Sequence, residues 1–309
     1  MVDADTTHGG RGREASDDDR IRKHTVMHRL MALGAALLAS SPLVAQHVRT
    51  LESSRLLNEA TPVAVRLQLG TGTLSVSASD APYLYRSITR FGDSYAAPTS
   101  TWNAAQRTLT LSAGQRVATA AVRAAVGDDD EGAQDWRVQL TRRAPVELTV
   151  DATAANATLD LTGLALRRFA INSGAAAATV RFDAPNTEAM SVFDAKVGAG
   201  GLKLIGIGNA DASEMRIVGD VGDIALDMGG RWRRDLRVTV SSIFGGISIT
   251  APPTIGIELE STGLLSRDNV DGEFTRSGDI WRSSNYAQSS VKVHVSVRSL
   301  LGKVTLIQR

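Results

Sequence analysis

The sequence predicts an all-β protein, a β-solenoid of stacked strand repeats with a period of about 21 residues, and three observations predict it. Hydrophobic residues make up 43% of the chain but aromatics only 5%, so the core is built from Val, Ile, Leu and Ala, which suit regular strands. Short segments alternate apolar and polar residues with period two, the signature of a half-buried strand. These segments recur in pairs around a glycine-containing turn.

The chain begins with a polar, charged stretch, residues 1–26, carrying Asp17-Asp18-Asp19 and no periodic apolar face. It reads as disordered, or as the result of a miscalled start ahead of Met27. Arg20, Arg22, Lys23 and Arg29 then precede the apolar stretch Leu30–Ala39, a Ser40-Ser41-Pro42 break, and Leu43-Val44-Ala45 before Gln46. A basic region, a short apolar region and a small residue at the cut make residues 27–45 a secretory signal peptide. A buried core helix and an uncleaved membrane anchor are the other readings, but a spanning helix needs about 20 apolar residues. No other stretch of the sequence is long and apolar enough to cross a membrane.

Residues 46–309 read as a single β-repeat domain. Leu148-Thr149-Val150 opens a unit that closes at Leu159-Asp160-Leu161. Phe169-Ala170-Ile171 opens the next, turning at Ser173-Gly174 and closing at Val180-Arg181-Phe182. Further units open at Met190, Met215 and Leu236 and turn at Gly198–Gly201, at Gly219 and Gly222, and at Gly245-Gly246. Val63–Val76 is an earlier copy around Gly70-Thr71-Gly72, and Val291–Ile307 a final one around Gly302. Trp102–Leu111 and Trp136–Leu140 read as further strands, and only residues 51–60 and 115–126 look tolerant of helix. One unit alone cannot bury its apolar face, since an isolated strand pair is marginal in water; stacked units cover one another. Leu159–Leu164 also fits a fragment of a leucine-rich repeat, but the other units lack the recurring Asn and the helical half.

The order of motifs resembles the toast-rack domains of the bacterial envelope, related to the extracellular part of LiaF-type cell-wall-stress regulators and to auto-transporter-adhesin-like domains. The likeness rests on Leu159–Leu164 with the Ser173-Gly174 turn, and on Val197–Gly200 with Gly206–Ala210. It continues through Leu226–Gly230 running into Trp232–Asp235, Gly245–Ile249 with Ile255–Ile257, and Phe274–Asp279 with Ser284–Tyr286. It covers roughly residues 60–309 and departs at Ala175–Ala178, where the family has a Gly-rich turn. The resemblance implies a β-solenoid or sandwich-like stack in the envelope and no established reaction.

The residues offer little chemistry. The chain has no cysteine, which closes disulfides, thiolate zinc sites, Cys nucleophiles and a lipobox anchor. Of five histidines only His294 falls among the repeats, on the polar phase of a strand, so Ser-His-Asp chemistry and His-rich metal sites are excluded. No catalytic residue, metal set or cofactor is expected. Gly206-Ile207-Gly208 does not complete G-x-G-x-x-G and Gly302-Lys303-Val304 lacks the P-loop hydroxyl; these are corner glycines. Asp128–Glu131 reads as a solvated loop rather than a calcium site. With 34 Lys+Arg against 33 Asp+Glu, nothing argues for nucleic acid.

The candidate ligand site is Arg231, Trp232, Arg233 and Arg234, where guanidinium and indole together suit an anionic glycan. The alternative is a tight turn in which Trp232 plugs the stack. The sequence thus points to an exported cell-envelope scaffold or adhesion-like binding protein without catalysis. Its place is periplasmic or at the extracellular cell surface, and its partner an envelope protein or an anionic glycan. An accessory to envelope-stress signalling is the second reading, and a polysaccharide-processing β-helix enzyme using paired carboxylates the third. Mass spectrometry of the mature protein is expected to find a terminus near Gln46; a stable cytoplasmic product retaining residues 30–45 contradicts export.

Overall fold

The computed structural model describes residues 48–117 and 134–309. The expected signal peptide and leader, the 118–126 part of the helix-tolerant stretch and Asp128–Glu131 lie outside the described residues.

An N-terminal group contains β1 (Arg49–Leu56), β2 (Val63–Ser79), β3 (Tyr83–Phe91), β4 (Thr99–Asn103), β5 (Thr108–Ala113), β6 (Asp135–Thr141) and β7 (Pro145–Asp160). Next come β8 (Ala165–Ser173), β9 (Ala178–Arg181), β10 (Val192–Ala199), β11 (Leu202–Ile205), β12 (Glu214–Val221), β13 (Ile224–Asp227), β14 (Leu236–Phe244) and β15 (Ile247–Ala251). The chain ends with β16 (Gly256–Thr262), β17 (Leu265–Asp271), β18 (Phe274–Ser277), β19 (Ile280–Ser283) and β20 (Lys292–Gln308).

Each rung is a strand that turns a glycine corner into a second strand, and successive rungs pair in parallel on both sides of the corner. In space the order is β2, β7, β8 with β9, β10 with β11, β12 with β13, β14 with β15, β20, and last β16 with β17. β2, β7 and β20 run unbroken through the corner. The chain leaves the stack twice, and each time the returning strand pairs with the rung that was left. β3–β6 form an excursion after β2 that β7 closes. β16–β19 form the other, and β20 enters between β14/β15 and β16/β17.

In-register stacking explains the aliphatic diet. Val65, Leu148, Phe169, Phe193, Met215, Val238, Val295 and Leu259 stand over one another, all buried, in one core. Large and small residues are traded within a rung: Phe169 shares its rung with Ala178, and Phe193 with Ala195. Constant rung volume is what close packing demands. The phenyl rings of Phe169 and Phe193 meet edge to face with centroids 5.0 Å apart.

The period of about 21 residues holds as a stack, with particular corrections. Column members after Leu148 are Phe169, Phe193, Met215 and Val238, not Met190 and Leu236; those two lie just ahead of the column, where the loop corner makes its approach. Trp102–Leu111 is not one strand: it is β4 and β5 paired antiparallel, with Arg107 at φ 49° in the turn between them. The start of the 51–60 stretch is not helix but β1, because the edge of β3 offers it an antiparallel ladder. Tertiary pairing overrides a weak local preference.

At the corner the rungs approach closely. A Cβ on Gly222 would fall on the carbonyl oxygen of Gly200, one on Gly245 on that of Gly222, and one on Gly302 on that of Gly245. Gly222 and Gly245 also hold φ of 135° and 134°, which side chains rarely adopt. The end rung is closed by polarity: Asp268, in an inward column, accepts from Ser261 Oγ at 2.8 Å and from the indole of Trp281 at 3.3 Å. Val238→Asp places an unpaired carboxylate in the central column and is expected to lower stability by about 4 kcal/mol or more, whereas the outward Thr239→Lys changes it by less than about 0.5 kcal/mol. Equilibrium denaturant unfolding of both checks the inward phase.

Candidate functional site

The loop joining β13 to β14 carries Arg231–Arg234 and lies on the loop joining β11 to β12. Its entry is fixed by Asp227, whose carboxylate accepts the Gly229 N–H at 2.8 Å, and by the Gly208 N–H donating to Gly229 O at 2.9 Å. Trp232 folds back against Gly208, where a Cβ would collide with the indole, and its ring N–H donates to Met228 O at 2.9 Å. The ring is half-buried against the core.

The three arginines differ. Arg234 grips Asp211 in a bidentate pair, Nε to Oδ1 at 2.8 Å and Nη2 to Oδ2 at 3.2 Å, while the Asp211 side chain is only 6% exposed. Arg233 Nη1 donates to Asn186 O at 3.0 Å and stands 3.9 Å from Asp211 Oδ2. Arg231 binds through its backbone, its N–H donating to Asn209 Oδ1 at 2.8 Å, and among the described residues its exposed guanidinium has no ion pair.

Two buried asparagines that sequence reasoning passed over hold this corner together. Asn209 Nδ2 donates to Phe182 O on one neighbouring loop, and its Oδ1 accepts from Arg231 on the other. Asn186 Oδ1 accepts the Leu166 N–H at the start of β8, and its Nδ2 donates to Leu166 O and to Ala210 O on the other side. The two lie one rung apart, so their spacing was the signal available.

A second cluster lies on the outer face at the far end of the stack. Glu258, its side chain 11% exposed, sits between His294 Nδ1 at 2.8 Å and the Arg282 guanidinium, which it binds through Nε at 2.7 Å and through Nη2. His294 is therefore on the outward phase, as the sequence implied, but held by a carboxylate 36 positions earlier in the chain. Tyr286 stacks beneath Arg282, and its hydroxyl is pushed above the usual phenol range first by burial and then by the charge of Glu258. Across β7, β8, β10 and β12 a shallow depression brings Asp151, Asn172, Lys196 and Asp220 from successive rungs around a floor that includes Ala152, Val197 and Val218. There Asp151 takes Arg66 at 2.9 Å and Asn172 at 2.7 Å.

These features define an all-β repeat protein of stacked parallel rungs whose polar faces point outward. The chain belongs to the toast-rack family: residues 44–205 match the N-terminal domain of toast_rack, DUF2154. No curated protein matches it. Among solved structures it is similar to a candidate cell adhesion protein from Clostridium sporogenes, at 16% identity and a TM-score of 0.45 over 85% of this chain and 100% of the other. It is also similar to a candidate adhesin from Bacteroides fragilis, at 11% identity and a TM-score of 0.40 over 84% and 97%. A candidate adhesin from Parabacteroides merdae follows at 14% and 0.38, over 86% and 100%.

Arg234→Gln leaves the buried Asp211 without its bidentate partner and is expected to cost about 1–3 kcal/mol. Arg231→Gln should stay within about 0.5 kcal/mol, and thermal unfolding of the two variants compares them.

Proposed function

We propose that the protein is an exported, non-catalytic scaffold of the bacterial cell envelope that binds partners in an adhesin-like way, with an anionic glycan as one of them. The observation that carries this reading is the surface the stack presents. Each outward position recurs on the next rung about 4.8 Å away, so polar side chains form in-register rows suited to an extended ligand. One such row carries Glu214, Arg237, His294, Glu258 and Arg282 on adjacent strands. Family membership supports an envelope role.

Within the Arg231–Arg234 loop the residues divide the work. Trp232 and Arg234 shape the loop through Met228 and Asp211, and Arg231 with Arg233 offers charge to a polyanion. Arg231→Gln with Arg233→Gln is therefore the discriminating variant, because it keeps the Trp232–Met228 hydrogen bond and the Arg234–Asp211 pair and gives up only the Arg233–Asn186 bond. Retention on immobilised polygalacturonate is expected to fall sharply in this double variant. It should also weaken in the parent protein as salt rises past the ionic strength at which the screening length is about 8 Å. Equal retention of parent and variant overturns the glycan reading.

A further inference from the structure

Ten large hydrophobic side chains are exposed among the described residues, and six of them gather at one place. With the half-buried Leu301 they stand on the glycine corner of the last four rungs, in two rows. One row is Ile243, Leu300 and Leu264; the other is Val221, Phe244, Leu301 and Leu265, each in register with the next. Phe244 is 46% exposed, Leu265 67% and Leu264 76%. At a spacing of about 4.8 Å per rung the stripe is about 15 Å long. At this corner consecutive residues are exposed together, Ile243 with Phe244 and Leu264 with Leu265.

The fold does not ask for these residues. On the rung of β10 the same two corner positions are Gly198 and Ala199, and the corner turns there equally well. An exposed contiguous apolar patch that folding does not require marks a contact surface. Its rim is basic. Arg298 lies two residues before Leu300, Lys303 two after Leu301, and Arg267 two after Leu265, with Arg267 and Lys303 in register. All three are exposed and, among the described residues, none has an ion pair. The nearby acids are Asp220, beside Ile243, and Asp223, which accepts the Gly246 N–H at 2.8 Å.

The geometry points to an anionic phospholipid surface as the occupant: the apolar ridge enters the interface and the three cations meet lipid phosphates. A second copy fits less well, since a two-fold contact would set these cations against their own equivalents. The inference goes beyond the envelope reading and takes from it only the presence of a membrane. The glycan residues lie on the loop corner, so each proposal fails separately.

The test uses the full chain and vesicles of equal parts phosphatidylglycerol and phosphatidylcholine, with phosphatidylcholine vesicles for comparison. In a Phe244→Trp variant, indole emission is expected to shift to the blue on the anionic vesicles only. Replacing Phe244, Leu264, Leu265 and Leu300 with Ser should reduce the vesicle-bound fraction at least about tenfold. Arg267→Gln, Arg298→Gln and Lys303→Gln together should remove the preference for anionic lipid. A serine variant that melts early hands the test to the Trp and Gln variants. The proposal is overturned by unshifted Phe244→Trp emission with vesicles, by binding that survives the Ser changes in a folded protein, or by a concentration-dependent dimer that those changes dissolve.

Discussion

The hydrogen-bond ladder between rungs places each residue directly over its counterpart, and most of the molecule follows from that registration. A column must be filled by side chains that tolerate copies of themselves about 4.8 Å above and below, which is why branched aliphatics dominate it. Registration also fixes where length can vary. The glycine corner cannot lengthen, since the backbone of each rung lies against the carbonyl of the last. The loop corner and the two excursions absorb every change of spacing. Column intervals of 21, 24, 22 and 23 residues along Leu148, Phe169, Phe193, Met215 and Val238 record the loop corner doing so.

The same logic decides what could be read from the sequence. Period-two alternation and glycine spacing are local, so the class of fold and the existence of each rung were legible. Strand order was not, because nothing local says that β20 enters between β14/β15 and β16/β17. That insertion sets His294 beside Glu258, and a separation of 36 residues has no periodic signal to betray it. The asparagines were hidden for a different reason. Asn186 and Asn209 each satisfy backbone groups of two neighbouring rungs, so their role exists only once the rungs are stacked.

Arg231–Arg234 shows how a motif can be partly legible. Composition marked it as a cationic cluster around an indole; in the structure the indole turns inward against Gly208 and the three arginines stay exposed. The carboxylate that engages it, Asp211, lies one rung earlier and is buried at φ 54°, a conformation that a sequence pattern does not announce. Once Arg234 is committed to Asp211, the cluster's outward charge rests on Arg231 and Arg233.

A repeat fold supplies its own control for telling structure from function, because the same position is built several times. At inward columns the rungs agree in character, and agreement there is the demand of packing. At the glycine corner they disagree: Gly198 and Ala199 on one rung become Ile243 and Phe244 two rungs on, then Leu300 and Leu301 on the next. The backbone geometry is shared, so the change cannot serve the turn. Exposed apolar surface carries a solubility cost that folding does not recover. The difference between equivalent rungs, more than any single motif, therefore identifies the face of this molecule that answers to something outside it.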